Sequence, residues 1–160
     1  MVLLKNKLLF TGIIIFCITV LIFAFFIEYV LKHVPCNLCL FERIPYIGAI
    51  VLSFVVLFAD KYEKIVLITI GLLFVFGTII SFYHFGIEQG FFNESLVCDL
   101  DNASRAVSTE DLLKELKAEN ISCKDVTFRI FGLSLATFNT IISFLISAIM
   151  LSAVINYEKN

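Results

Sequence analysis

Apolar residues in this chain do not alternate with polar ones, and they do not keep to one helical face. They fill whole stretches. Leu8 to Ile27 contains no Asp, Glu, Lys or Arg, and neither does Ile65 to Phe85 or Ile130 to Ile155. As helices rising about 1.5 Å per residue, each is long enough to cross a hydrocarbon layer of about 30 Å. A fourth run, Ile44 to Ala59, falls short of the roughly 20 residues a span requires. It reaches full length if its helix starts near Cys39, which puts Cys39 and Arg43 in the first turns of that span. The pattern predicts an all-α integral membrane four-helix bundle. Its spans are expected near 8–27, 39–59, 65–85 and 130–155, within a single domain covering 1–160.

Composition agrees with this reading. Of 160 residues, 60% are hydrophobic, 18 are Phe and only 16% are charged, which no ordinary soluble domain combines. Nothing suggests a nucleic-acid partner, and there is no internal repeat. The first run follows Lys5 and Lys7 as a secretory signal would. Its apolar region is longer than a signal's, and no small-residue cleavage site follows, so an uncleaved span is expected. Four spans put both ends on one side. Lys5, Lys7, Lys61, Lys64 and Lys159 fall on that side, against Lys32 and Arg43 in the short first connection. The excess of basic residues predicts cytoplasmic termini and two exported loops. In the long third connection, 86–128, acidic residues outnumber basic ones.

There are five cysteines. Cys17 lies mid-span and reads as a small buried apolar residue. Cys36 and Cys39 lie in or beside the first connection, Cys98 and Cys123 in the third. With an even number of spans, those connections share a side. All four cysteines therefore face one compartment, oxidising if the termini are cytoplasmic. Three disulfide pairings are open. A four-thiolate zinc site fits poorly, because zinc favours two short Cys hooks and the second pair is 25 residues apart; no metal is expected. Two structural staples are the plain alternative. Yet a Cys-x-x-Cys ring closes almost no loop and so adds little stability through chain entropy. Exchange chemistry explains it better.

Exchange needs a thiolate. A helix N-terminus near Cys39 and the cation Arg43 would both favour one. Arg43 is otherwise badly placed, since it opposes the helix dipole at the membrane boundary. The simpler readings are that it snorkels or pairs with Glu42. Pro45 predicts a kink that opens space just inside the span. The chain has no nucleotide-binding glycine motif and no haem-type Cys-x-x-Cys-His. A thiolate at the membrane edge is within reach of a lipid-soluble acceptor, and a quinone is the natural candidate.

Cys36-Asn-Leu-Cys39-Leu-Phe-Glu-Arg43 resembles the first exported motif of the disulfide bond formation protein B (DsbB) family. Tyr83-His-Phe-Gly-Ile-Glu-Gln-Gly90 and the stretch from Cys123 to Asn139 are similar to later family segments, in the same order. Phe128 and Phe138 stand where the family often has Trp. The resemblance implies an inner-membrane protein thiol:quinone oxidoreductase that reoxidises a DsbA-like periplasmic thiol oxidase and passes electrons to ubiquinone or menaquinone. Carried over by position, Cys98 forms the mixed disulfide with the partner and Cys123 resolves it. Cys36 exchanges with the second pair. Cys39 faces the quinone, with Arg43 on the quinone oxygen or on the Cys39 thiolate. Vitamin K epoxide reductases combine similar parts, but their active pair comes late in the chain. A structural tetraspan protein with two stapled loops is the rival from another class.

Three further features stand out. Ser108 and Asp111 suggest the start of a short helix in the third connection, with Leu112, Leu113 and Leu116 as an apolar stripe on the membrane surface or the bundle rim. His84 and Glu88, at the exported end of the third span, are candidate quinone-site residues for proton relay, or else interfacial polar residues. Asn139, inside the fourth span, is expected to hydrogen-bond between helices.

Overall fold

The computed structural model describes residues 2–93, 98, 123–124, 128–130 and 132–158. The expected surface helix after Ser108 lies outside these residues. Helix α1 covers Val2–Phe25 and continues as a π-helical turn, Phe26–Val30. A short helix α2, Asn37–Phe41, is followed by α3, Ile44–Phe58. Helix α4 runs over Glu63–Glu88 and α5 over Leu135–Glu158. Four segments are long and apolar enough to cross a membrane: Lys7–Val30, Asn37–Phe58, Glu63–Glu88 and Leu135–Tyr157. The protein is an all-α, multi-pass membrane protein.

The boundaries differ from the uncharged runs for local reasons. The first span carries Glu28 within its last turn, because the π-helical turn prolongs the helix past the apolar run. The chain then reverses at Lys32, whose φ of 56° is left-handed. The second span is two helices. It breaks at Glu42 and Arg43, and Pro45 sits in the first turn of α3, where its missing N–H leaves no helical bond unmade. The fourth helix starts at Leu135, after a two-residue ladder pairing Arg129 with Ser134 and Ile130 with Leu133. Gly132 makes that turn with φ of 82°. Ser134 then caps α5 by accepting the Thr137 N–H at 3.2 Å.

Packing is pairwise. Helix α5 lies along α4, α1 along α3, and α3 on α4, while α1 and α5 make little direct contact. The core joins Phe10, Ile13 and Cys17 of α1 to Tyr46, Ala49 and Val56 of α3, to Leu67, Ile70 and Phe74 of α4, and to Met150 of α5. The Tyr46 ring meets Phe74 edge-on at 5.3 Å. Large apolar side chains such as Phe58, Leu72 and Ile79 point outward, as they do where the surrounding solvent is lipid. Association in such a solvent depends on close backbone approach at small residues. Gly77 supplies it: a Cβ there would stand 3.1 Å from Pro45 of α3 and 3.5 Å from Ser143 of α5.

Gly77→Leu is therefore expected to destabilise the bundle by about 1–3 kcal/mol through overpacking. Gly12→Ala meets no atom within 4 Å and should be neutral or slightly stabilising. Thermal unfolding of both variants in one detergent checks this. Equal melting temperatures would contradict the close approach at Gly77.

Candidate active site

The end of the bundle that carries Cys36 and Cys39 holds a chain of buried polar groups. It begins at Cys36, the N-cap of α2, whose sulfur accepts the Cys39 N–H at 3.3 Å. The helix starts one residue after Cys36, so it is Cys36 whose sulfur receives the helix-end N–H, whereas the sequence had suggested that Cys39 benefits. The Cys36 and Cys39 sulfurs lie 2.7 Å apart. His84, from the last turns of α4, brings Nε2 to 3.5 Å from the Cys36 sulfur. Its Nδ1 lies 2.8 Å from Glu42 Oε1. Glu42 Oε2 accepts the Asn139 side-chain N–H at 2.7 Å, and Asn139 Oδ1 accepts the Tyr46 hydroxyl at 2.5 Å. Six side chains, from α2 and its N-cap, the helix break, α3, α4 and α5, thus form one connected path.

The bonding pattern sets the histidine's orientation. A carboxylate oxygen only accepts, so Nδ1 carries the hydrogen and Nε2 faces the sulfur. Nε2 can then take the Cys36 proton or donate to its thiolate. The Cys36 thiol is held well below the ordinary thiol range, first by the hydrogen bond from Cys39 and then by His84, against the opposing effect of burial.

Arg43 lies just beyond the break. Its guanidinium donates to Glu28 Oε2 at 2.7 Å and stands 5.0 Å from the centre of the Phe25 ring. Its ion-pair partner is thus Glu28 and not Glu42, because both oxygens of Glu42 are already engaged by His84 and Asn139. Glu88 is 5% exposed at its side chain, with Oε1 3.8 Å from His84 Nε2. Its Oε2 is buried and has no hydrogen-bond partner among the described residues.

These groups border a cavity of about 400 Å³. Phe23, Ile27, Phe138 and Ile142 form part of its apolar wall, while Cys39, Arg43, His84 and Glu88 lie at its polar end. Such a cavity suits a flat, mostly apolar molecule with polar atoms at its rim. Glu88 Oε2 is a buried polar atom without a partner among the described residues; a ring hydroxyl would donate to it, and a ring carbonyl would accept from it when the carboxyl is protonated. The residues present therefore fit a quinone ring. Cys36, Cys39 and His84 also place their ligand atoms within 4.8 Å of one another, a donor set that suits a thiophilic ion when both thiols are reduced.

The second cysteine pair is close by. Cys98 and Cys123 are joined as a disulfide, with Cα atoms 6.0 Å apart. Cys123 is buried in a cluster with Cys36, Leu38 and Ile87, and Cys39 and Cys98 pack against it. Cys36, Cys39, Cys98 and Cys123 therefore meet in one place. Cys17 is fully buried in the membrane core, away from them.

Of the residues singled out from the sequence, Cys36, Cys39, Arg43, His84 and Glu88 border one cavity, and Cys98 and Cys123 adjoin it. Asn139 bonds between helices as expected. Glu28, Glu42 as the histidine's partner, and Tyr46 were missed. The available signal was cost: an acid at a membrane boundary needs a buried partner. Glu28 and Glu42 are the two acids at the ends of the first two spans that flank the first connection.

The model of the family described as "Disulfide bond formation protein DsbB" matches residues 6–153 of the chain. A protein of Rickettsia prowazekii (strain Madrid E), named "Uncharacterized protein RP370", is 28% identical over 158 residues, which is 98% of this chain and 91% of that protein. No solved structure matches. The chain belongs to the DsbB family of disulfide bond formation membrane proteins.

Proposed function

We propose that the protein is an inner-membrane protein-dithiol:quinone oxidoreductase that reoxidises a DsbA-like periplasmic partner. The observation that carries this reading is the meeting of both cysteine pairs beside a membrane-level cavity bordered by Arg43, His84 and Glu88. The net reaction takes one partner dithiol and one quinone to one partner disulfide and one quinol. The quinone, ubiquinone or menaquinone, supplies the capacity to accept two electrons and two protons.

The chain's own residues divide the work as follows. Cys98 accepts the attack of the partner thiolate and forms the mixed disulfide, which frees Cys123. Cys123 lies in the same cluster as Cys36, so electrons pass to the first pair by disulfide exchange without a large movement. His84 Nε2 takes or returns the proton at the Cys36 sulfur, and Glu42 keeps the ring turned toward it. Cys39 faces the cavity. Arg43 is held at the rim by Glu28, where it orients the ring's oxygen by charge. Glu88, beside His84, is placed to donate or accept a proton within the cavity. The bias of Lys5, Lys7, Lys61, Lys64 and Lys159 supports cytoplasmic termini and periplasmic cysteine loops.

Quinone reduction by the purified protein, driven by a reduced DsbA-like partner, tests the reading. Ala at Cys36, Cys39, Cys98 or Cys123 is expected to abolish turnover, and Cys17→Ala to leave it intact. Turnover that survives loss of either exported pair would refute the proposed path. Arg43→Ala should raise the apparent KM for quinone about tenfold, the order of one lost charge-assisted hydrogen bond, with both disulfides still formed. An unchanged KM would remove Arg43 from the site.

A pH profile tests the thiolate directly. In the reduced protein, alkylation of Cys36 should have its midpoint below the ordinary thiol pKa of roughly 8.5. Because the thiol is shifted down, the reactive thiolate persists at neutral pH and is lost only as pH falls through the lowered value. His84→Ala should move that midpoint upward. A midpoint that does not move would mean His84 has no hold on the sulfur.

A further inference from the structure

Three ligating groups converge when the first cysteine pair is reduced. The Cys36 sulfur, the Cys39 sulfur and a ring nitrogen of His84 all lie within 4.8 Å of one another. A tetrahedral zinc ion, with bonds of about 2.3 Å to sulfur and 2.0 Å to nitrogen, holds a sulfur and a nitrogen roughly 3.6 Å apart. Cys36 Sγ and His84 Nε2 already stand 3.5 Å apart. We propose that the reduced Cys36–Cys39 pair and His84 form a site for one divalent cation of the zinc class, absent from the oxidised protein, and that the bound ion holds the pair out of thiol exchange. This is a different site from a four-thiolate one: it uses a single short cysteine hook and a histidine 48 residues beyond Cys36.

The surroundings of the three groups are those of a metal site. His84 Nδ1 gives its hydrogen to Glu42 Oε1 at 2.8 Å, which leaves the Nε2 lone pair facing the sulfurs. A carboxylate behind a histidine fixes the ring and strengthens it as a ligand. Glu42 is itself held by the Asn139 side chain at 2.7 Å, so the ring is anchored through two residues. A fourth donor is at hand. Glu88 Oε1 is 3.8 Å from His84 Nε2, and Glu88 Oε2 is buried without a hydrogen-bond partner among the described residues. The cavity borders Cys36, Cys39, His84 and Glu88 together, which gives an ion a way in. One adjustment is needed. The sulfurs are 2.7 Å apart, and a tetrahedral ion sets two thiolates roughly 3.8 Å apart. The Cys39 side chain is only partly buried, and its rotation supplies the difference.

The charges balance without any electron transfer. Two protons leave as the two thiols become thiolates and Nε2 presents its lone pair. The two negative sulfurs then cancel the charge of the ion, so no net charge is added at the membrane boundary. Thiolate is the ligand form of cysteine. A disulfide offers none, and oxidation of the pair therefore abolishes the site. While the ion is bound, Cys36 cannot attack the Cys98–Cys123 bond and Cys39 cannot pass electrons on. That consequence for turnover rests on the proposed function, whereas binding requires only that the pair be reduced.

Zinc uptake by purified protein with Cys98 and Cys123 both changed to Ala tests the site, with neither quinone nor partner added. One ion per chain is expected after chemical reduction and removal of the reductant, and none after chemical oxidation of the pair. Bound zinc should protect Cys36 and Cys39 from alkylation, and a chelator should restore their reactivity. Glu42→Gln leaves all three ligands in place and should weaken zinc about tenfold, the scale of a lost partner behind a histidine. His84→Ala should weaken it by at least as much. The comparison of reduced with oxidised protein needs neither of these two substitutions, so it decides the matter even if a variant fails to fold. Equal uptake in the two redox states would overturn the proposal. So would an affinity unchanged by both substitutions, because the cysteines alone would then account for binding. Absence of uptake by the reduced protein would overturn it too and leave the quinone reading intact. Failure of the quinone reading shows differently, as no turnover in metal-free wild type while zinc uptake by the reduced pair persists.

Discussion

The site depends on one buried carboxylate. Glu42 sits where the second span breaks, and its two oxygens hold His84 of α4 and Asn139 of α5. A carboxylate out of water is costly unless its lone pairs are satisfied, and losing either partner leaves an uncompensated charge. That constraint ties together three spans, alongside the Tyr46–Asn139 hydrogen bond between α3 and α5 and the apolar packing of the core. It also turns the His84 ring so that Nε2 points at Cys36. Glu42 reaches these partners from the interruption between α2 and α3, where Pro45 favours a new helix start.

Arg43 and Glu28 form a second, smaller arrangement of the same kind. The guanidinium is neutralised by Glu28 and rests over Phe25, so a cation is kept at the membrane edge at low cost. The two acids separate two tasks. Glu42 serves the histidine that faces the thiol, and Glu28 serves the arginine at the cavity rim. Had Arg43 taken Glu42, as adjacency in the sequence suggested, the histidine would have lost its carboxylate partner and with it the reason for one ring orientation.

The spans were legible because length and absence of charge suffice to predict a helix that crosses a membrane. The grouping of the cysteines was legible too, since an even number of spans places Cys36, Cys39, Cys98 and Cys123 on one side. The break at Glu42, the π-helical turn that carries Glu28, and the late start of α5 at Leu135 were not. Each is decided by backbone geometry or by a partner far away in sequence: Glu42 and Asn139 are 97 residues apart. Asn139 was readable as a polar group needing a partner, but the identity of that partner was not. That α1 and α5 make little direct contact had no sequence signature either, because helix pairing is decided by tertiary packing.

In the proposed function, the path from Glu42 through His84 poises the Cys36–Cys39 pair for electron transfer. The most direct test is the reduction potential of that pair, measured in a background where Cys98 and Cys123 are both Ala, with and without Glu42→Gln. Gln keeps the shape of Glu42 and removes its charge. A stabilised Cys36 thiolate favours the reduced pair, which raises the potential. The account predicts that Glu42→Gln lowers it by about 30 mV or more, a tenfold change in the equilibrium. A potential that stays the same would contradict the claim and reduce Glu42 to a structural tie between helices.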